Sequence, residues 1–128
     1  MTKSPKVDPT SAELEILNIL WERQPLPVKD IHEQLGEKKE VGYTTTLKIM
    51  QNMTIKGLLR RELRGKSHYY SAVFKKEETR QNLLDKFLDN AFGGSASSLV
   101  MQLLGNQRTS ARELDEIKKM IEKMENKK

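Results

Sequence analysis

Residues 43–73 read YTTTLKIMQNMTIKGLLRRELRGKSHYYSAV, and this stretch determines the predicted fold. In its first half, apolar side chains recur at spacings of three and four as far as Gly57, which predicts a helix that this glycine ends. Its second half predicts two strands, residues 60–63 and 68–73, joined by the turn signal Arg64-Gly65-Lys66. A helix followed directly by a hairpin is therefore expected here.

Two more helices are predicted upstream of this stretch. Thr10-Ser11-Ala12-Glu13 fits a capping box, and the apolar spacing after it predicts a helix over about residues 11–23. Pro27 is placed to open a second helix, which Gly36 is expected to end. Three short helices and a two-stranded ribbon are the parts of a winged helix-turn-helix. The predicted fold class is mainly α with a small β-hairpin.

The chain is predicted to contain three parts. Residues 1–9 hold two prolines and are expected to form a flexible arm, and residues 10–74 form the winged-helix domain. Residues 75–128 carry three apolar helical stripes, which is too little chain to bury them alone. We expect a helical dimerisation domain there, the alternative being a monomer whose helices fold back. The expected interface residues are Leu84, Phe87, Leu88, Phe92, Leu99, Val100, Leu103, Leu114, Ile117 and Ile121.

The positive charge of the chain is concentrated in one segment. The 128 residues include 23 Lys+Arg and 18 Asp+Glu, a formal net charge of +5. Residues 43–70 hold six of the basic residues and one acid, Glu62, so this segment alone accounts for the excess. A neutral body with one basic segment is typical of a local contact with a polyanion.

The basic segment coincides with the predicted third helix and hairpin. A DNA major groove about 12 Å wide admits one helix, whose N-terminal residues reach base edges. Thr44, Thr45 and Lys48 are the predicted base-contacting residues. The hairpin, or wing, is expected to lie against the adjacent backbone or minor groove. The predicted phosphate contacts are Lys56, Arg60, Arg61, Arg64, Lys66 and His68.

Simpler interpretations of the same residues remain open. Thr44 is equally suited to cap the helix, and each basic residue, taken singly, is typical of a solvated surface. Trp21 is expected in the core. Because side chains alternate along a strand, only one of Tyr69 and Tyr70 is expected to pack inward.

The sequence lacks the motifs of common enzymes and metal sites. No HExxH, GxSxG, P-loop or GxGxxG pattern is present, and there is no cysteine. The two histidines, His32 and His68, are both expected on the surface. We therefore predict that the chain is not an enzyme and holds no cofactor or metal. Its apolar runs are too short to cross a bilayer, so no membrane insertion and a cytoplasmic location are expected.

Several stretches together carry a family resemblance. They are residues 10–17 followed by Trp21, residues 43–47 through Lys56-Gly57-Leu58-Leu59, Tyr69-Tyr70-Ser71, and Phe92-Gly93-Gly94 followed by Ser98-Leu99-Val100. In this order and spacing, the chain resembles the BlaI/MecI-type penicillinase repressors, a family that also includes copper-responsive members. The resemblance covers about Val7 to the C-terminus.

The resemblance implies a homodimeric bacterial repressor, linked in some members to antibiotic resistance, which binds a dyad-symmetric operator through its winged helix. It also implies that the C-terminal helices exchange around the two-fold axis. In antibiotic-responsive members, a membrane sensor-protease detects a β-lactam, and the repressor is then cleaved within its dimerisation segment. Loss of the dimer separates two linked half-site contacts and so releases the DNA.

The chain departs from the family at three places. The position of the cleaved Asn-Phe bond is Gln102-Leu103 here, which makes it only a candidate cleavage bond. The cysteine motif of copper-responsive members is absent. Threonines occupy the early part of the recognition helix, where members often have a basic residue.

The alternative function is a winged-helix protein–protein adaptor whose basic wing docks an acidic partner.

Overall fold

The computed structural model of the chain describes residues 8–106 and 108–127. Within them, six helices and three short strands follow in the order α1 Ser11–Glu22, β1 Leu26–Pro27, α2 Val28–Gly36, α3 Tyr43–Lys56, β2 Leu59–Arg64, β3 Ser67–Ala72, α4 Lys76–Phe92, α5 Ala96–Gly105 and α6 Ala111–Asn126. The predicted fold class, mainly α with a small β-hairpin, is confirmed.

Local capping signals set the start of α1. Thr10 Oγ1 accepts the Glu13 backbone N–H at 3.2 Å, and Glu13 Oε1 accepts the Thr10 N–H at 2.9 Å. The predicted capping box is therefore present, and it satisfies two backbone donors at the helix start. The apolar face of α1 then buries Ile16, Leu17 and Leu20.

The sheet contains one strand more than the predicted hairpin. β2 and β3 pair as expected, and β1 adds to the outer side of β3, with Leu26 opposite Tyr70. A two-residue strand has no periodicity, so the sequence pattern could not reveal it. Pro27 is accordingly the N-cap of α2 rather than its first residue, and Gly36 is the last helical residue rather than the stop.

The core of the N-terminal unit lies between the three helices and the sheet. Trp21 packs against this core half-buried, as expected, and its Nε1 donates to the Phe74 carbonyl at 3.0 Å. Tyr70 is buried and Tyr69 only half-buried, which confirms that one tyrosine of the pair faces inward. The core side chains are Ile16, Leu17, Leu20, Leu26, Val28, Ile31, Leu35, Met50, Met53, Leu58, Leu59, Tyr70 and Ala72.

The chain divides into two compact units between Leu83 and Leu84, inside α4. The first turns of α4 belong to the N-terminal unit, since Thr79 is buried and Asn82 Nδ2 donates to Asp8 Oδ1 at 3.4 Å. The predicted boundary lay earlier, between residues 74 and 75. Of the predicted arm, residues 1–7 lie outside the described residues, whereas Pro9 is buried.

The second unit consists of the end of α4 with α5 and α6. A second capping box, formed by the Ser-x-x-Glu sequence Ser110 to Glu113, starts α6, where Ser110 Oγ accepts the Glu113 N–H at 3.1 Å. Neither α5 nor α6 has a buried side chain. Among the described residues, no helix combines the length and apolar character that a bilayer crossing requires.

Candidate nucleic-acid interface

The N-terminus of α3 is uncapped by any side chain. Its N-cap is Gly42, so the alternative that Thr44 caps the helix is wrong. The first turn carries no acidic residue. The unpaired N–H groups and the positive end of the helix dipole therefore remain available for an anionic partner.

The three predicted base-contacting residues share one exposed side of α3. Thr44, Thr45 and Lys48 are all exposed, and spacings of three and four place Lys48 next to both threonines. They present two hydroxyl groups, two methyl groups and one ammonium group. The structure thus brings together the residues that the sequence assigned to base contacts.

The opposite side of α3 fixes the helix to the domain. Thr46, Met50 and Met53 are each 0% exposed. Thr46 Oγ1 forms a hydrogen bond of 3.1 Å with His32 Nδ1 on α2. The expectation that His32 is a surface residue is therefore wrong. His32 is half-buried and bonded to Thr46, because the turn between α2 and α3 folds it against α3.

The wing follows α3 almost without a linker. Gly57 ends the helix with φ 86°, a left-handed conformation that glycine adopts without strain, and Leu58 N then donates to the Met53 carbonyl at 2.9 Å. Leu58 and Leu59 are both buried. The position of the wing relative to α3 is therefore set by packed residues at its base.

The register of the wing assigns its side chains to two faces. Arg61 lies opposite the buried Tyr70, and Leu63 lies opposite His68, so these residues share the inner face. Arg61 also lines a cleft with residues of α3, namely Gln51, Thr54 and Ile55. The inner face of the wing therefore continues the surface of α3.

The outer face of the wing carries the remaining charged residues of the strands. Arg64 Nε donates to Glu62 Oε1 at 3.1 Å, and the Arg64 guanidinium lies 5.3 Å from the centroid of the Tyr69 ring. Arg60 lies on the same face, opposite Ser71. At the tip, Gly65 adopts φ 63°, which allows the tight turn next to the exposed Lys66.

Lys56 differs from the other predicted phosphate contacts. Its Nζ donates to Glu13 Oε2 at 2.7 Å, and the Glu13 side chain is only 5% exposed. The ammonium of Lys56 is thus engaged within the domain. By contrast, Arg60, Arg61, Lys66 and His68 are exposed on the wing.

The predicted interface residues of the second unit remain at its surface. Phe87 is 52% exposed and Ile121 51% exposed, and no described residue of α5 or α6 is buried. Leu84, Val100, Leu103, Leu114 and Ile117 are also exposed, whereas Leu88, Phe92 and Leu99 are half-buried. The candidate cleavage bond, Gln102-Leu103, lies inside α5.

The part of the chain that the structure describes contains no group of three or more His, Cys, Asp or Glu side chains able to hold a metal ion.

One further residue of the surface formed by α3 and the wing was not predicted from the sequence. Tyr43, the first residue of α3, is 48% exposed and pairs with the ring of His32. In the sequence, only its position directly before the threonines indicated that Tyr43 could belong to this surface.

Comparison with known proteins gives consistent matches. The family model for the penicillinase repressor matches residues 9–123. The penicillinase repressor of Staphylococcus aureus is 22% identical over 116 residues, which cover 91% of this chain and 92% of that protein. The transcriptional regulator BlaI of Mycobacterium tuberculosis strain H37Rv is 24% identical over 115 residues, covering 88% and 82%.

Solved structures support the fold of the N-terminal unit. The solution structure of the DNA-binding domain of the repressor BlaI matches with a TM-score of 0.51 and 19% identity, covering 61% of this chain and 93% of that one. The monomeric form of Bacillus licheniformis BlaI, solved in complex with the blaP half-operator, matches with the same values.

Proposed function

The chain belongs to the penicillinase repressor family, a family of transcriptional repressors and not of enzymes, and on that premise we propose that it binds a dyad-symmetric DNA operator as a homodimer. The observation that carries the proposal is the exposed row of Thr44, Thr45 and Lys48 on α3 beside a cationic wing. As a DNA-binding protein, it acts in the cytoplasm.

In this proposal, α3 enters the major groove with its uncapped N-terminus first. The threonine hydroxyls bond to base edges, and their methyl groups contact thymine methyls. The wing cations Arg60, Arg61, Arg64 and Lys66, together with His68, lie along the flanking phosphates and displace counterions. Lys56 is omitted from the contact set, since its ammonium already has a buried partner, the Glu13 carboxylate.

Dimerisation is supported by the apolar surface of the second unit. Its exposed side chains include Leu84, Phe87, Val100, Ile117 and Ile121. An apolar surface of this kind is stabilised when a second copy covers it, because water is then excluded from both copies. Two-fold symmetry would place two recognition helices on one side of the DNA, about 34 Å apart or a multiple of it.

We propose that the release of DNA also depends on the second unit. Two half-site contacts reinforce each other only while the protomers are linked, so removal of α5 and α6 weakens operator binding strongly. A membrane sensor-protease is the proposed trigger. Cleavage at Gln102-Leu103 requires local unfolding of α5, since a protease acts on extended chain and this bond is helical.

Fluorescence anisotropy with DNA from upstream of the gene for this chain tests the proposal. The wild-type protein should bind with nanomolar affinity and discriminate against random DNA, and the triple variant T44A/T45A/K48A should lose that discrimination. Absence of sequence-selective binding, together with salt-sensitive capture of an acidic protein, would replace the proposal with the adaptor function.

A further inference from the structure

Tyr43 is held in a defined orientation although it lies at the surface. The residue is 48% exposed, and its ring meets the ring of His32 edge to face, with centroids 5.4 Å apart and an interplanar angle of 78°. Edge-to-face pairing is a favourable arrangement of two aromatic rings and restricts their orientation. An exposed phenol is therefore held at the start of the recognition helix.

The orientation of His32 is fixed in turn by a buried group. Its Nδ1 lies 3.1 Å from Thr46 Oγ1, and Thr46 is 0% exposed. The Thr46 hydroxyl also lies 3.4 Å from the Gly42 carbonyl, at the N-cap of α3. A continuous set of contacts thus runs from the core, through Thr46 and His32, to the Tyr43 ring at the surface.

The position of Tyr43 separates it from the base-contacting row. It is the first residue of α3, and helical side chains lean towards the helix N-terminus. Its ring also lies towards α2, where its partner His32 is located. In a helix-turn-helix, the second helix reads bases, whereas the first crosses the DNA backbone. The phenol of Tyr43 is therefore on the side of the backbone.

We propose that Tyr43 donates its phenolic hydrogen to a DNA phosphate oxygen, and that His32 is a positioning residue that fixes the ring for this contact. Tyrosine is one of the side chains that commonly bond to phosphates. The inference rests on the proposed binding of DNA, and it adds a contact that fixes the angle of entry of α3 into the groove.

The loss of a neutral hydrogen-bond donor to phosphate can be distinguished from the loss of a cation by the salt dependence of DNA affinity. Replacing Tyr43 by Phe removes one hydrogen bond to a charged acceptor, and affinity should fall about tenfold on operator and random DNA alike. Because a phenol releases no counterion, the slope of log affinity against log salt should not change. In the control K66A, the loss of a wing cation proposed to lie along the phosphates should reduce that slope by about 0.9.

The contacted phosphate can be located chemically. A set of operators is made with one neutral methylphosphonate at each successive position, and wild type and Y43F are titrated on each. At one position per half-site, both proteins should bind equally, because the charged acceptor is missing for both. If Y43F binds more weakly than the wild type by the same factor at every methylphosphonate position, the proposed phosphate contact is overturned.

The role of His32 is tested by paired variants. His32→Asn keeps a group able to bond to Thr46, and His32→Leu removes the bond; melting temperatures establish that both fold. H32L should weaken DNA binding in the wild-type background but not in the Y43F background, and H32N should restore part of the affinity. Additive effects of H32L and Y43F would overturn the positioning role.

Two results would overturn the inference while leaving the proposed function intact. The first is operator binding by Y43F that equals the wild type. The second is a loss confined to the operator and absent on random DNA, which would assign the phenol to a base edge. Failure of the wild-type protein to bind any DNA would instead refute the proposed function itself.

Discussion

Glu13 Oε2 lies 2.7 Å from Lys56 Nζ, so that one partly buried ion pair joins the first turn of α1 to the last turn of α3. The other oxygen of the same carboxylate accepts the Thr10 backbone N–H at 2.9 Å. Glu13 therefore serves both the start of one helix and the end of the recognition helix. The ion pair therefore helps to fix the C-terminal end of α3 against α1.

Lys56→Ala is expected to reduce stability. It leaves the Glu13 carboxylate buried without its cation, which costs about 2 kcal/mol of unfolding free energy. Urea denaturation followed by circular dichroism measures this. The exposed Lys66 supplies the matched control, since K66A should change stability by less than about 0.5 kcal/mol. Unchanged stability of K56A, with weakened DNA binding, would assign Lys56 to phosphate instead.

Glu62→Gln is expected to strengthen DNA binding. Glu62 is the single acid of residues 43–70, and its Oε1 accepts a hydrogen bond from Arg64 Nε at 3.1 Å. Neutralising it removes repulsion of phosphate and frees the guanidinium, so affinity should rise about threefold at low salt and less at high salt. Anisotropy titrations at several salt concentrations measure the change. A weaker complex would show that Glu62 orients Arg64 productively.

Thr45→Ala is expected to reduce base selection. Loss of one hydroxyl at the groove should lower the ratio of operator to random-DNA affinity about tenfold. Thr45→Ser retains the hydroxyl and should keep most of the ratio. K66A should instead weaken binding to both DNAs by a similar factor, since the proposed partner of Lys66 is a phosphate. An unchanged ratio for T45A would remove Thr45 from the base-contacting set.

Ile117→Asp is expected to disrupt the dimer. It places a carboxylate in the apolar stripe of α6, where a second copy would have to bury it. Lys119→Asp is the matched control, because it introduces the same group about 200° further around the helix. Sedimentation equilibrium at tens of micromolar should show a monomer for I117D and a dimer for K119D. A monomeric wild type would contradict the proposed assembly.

Sequence signals that act over a few residues predicted the fold well. The capping boxes at Thr10 and Ser110 start their helices, and Gly57 ends α3 in the left-handed conformation. These features depend on neighbouring backbone groups alone. The strand spacing likewise predicted the β2–β3 ladder and the inward position of Tyr70.

Contacts between residues distant in sequence were not predictable in the same way. Lys56 and Glu13 are 43 residues apart, and only packing of α1 against α3 brings them together. The pairing of His32 with Thr46 depends on the angle of the turn between α2 and α3. β1 has two residues, and its pairing with β3 leaves no local pattern. The sequence thus predicted the helices and strands that local signals start and end better than the contacts between them.

In vitro selection with the full chain on a random double-stranded DNA library tests directly whether the protein binds a dyad-symmetric operator as a dimer. A symmetric dimer should enrich an inverted repeat whose half-site centres lie about one helical turn apart, or a multiple of it. I117D should lose the repeat while its monomer retains weak half-site preference. Recovery of sequences with no common motif by the wild-type protein would show that it does not select a DNA operator.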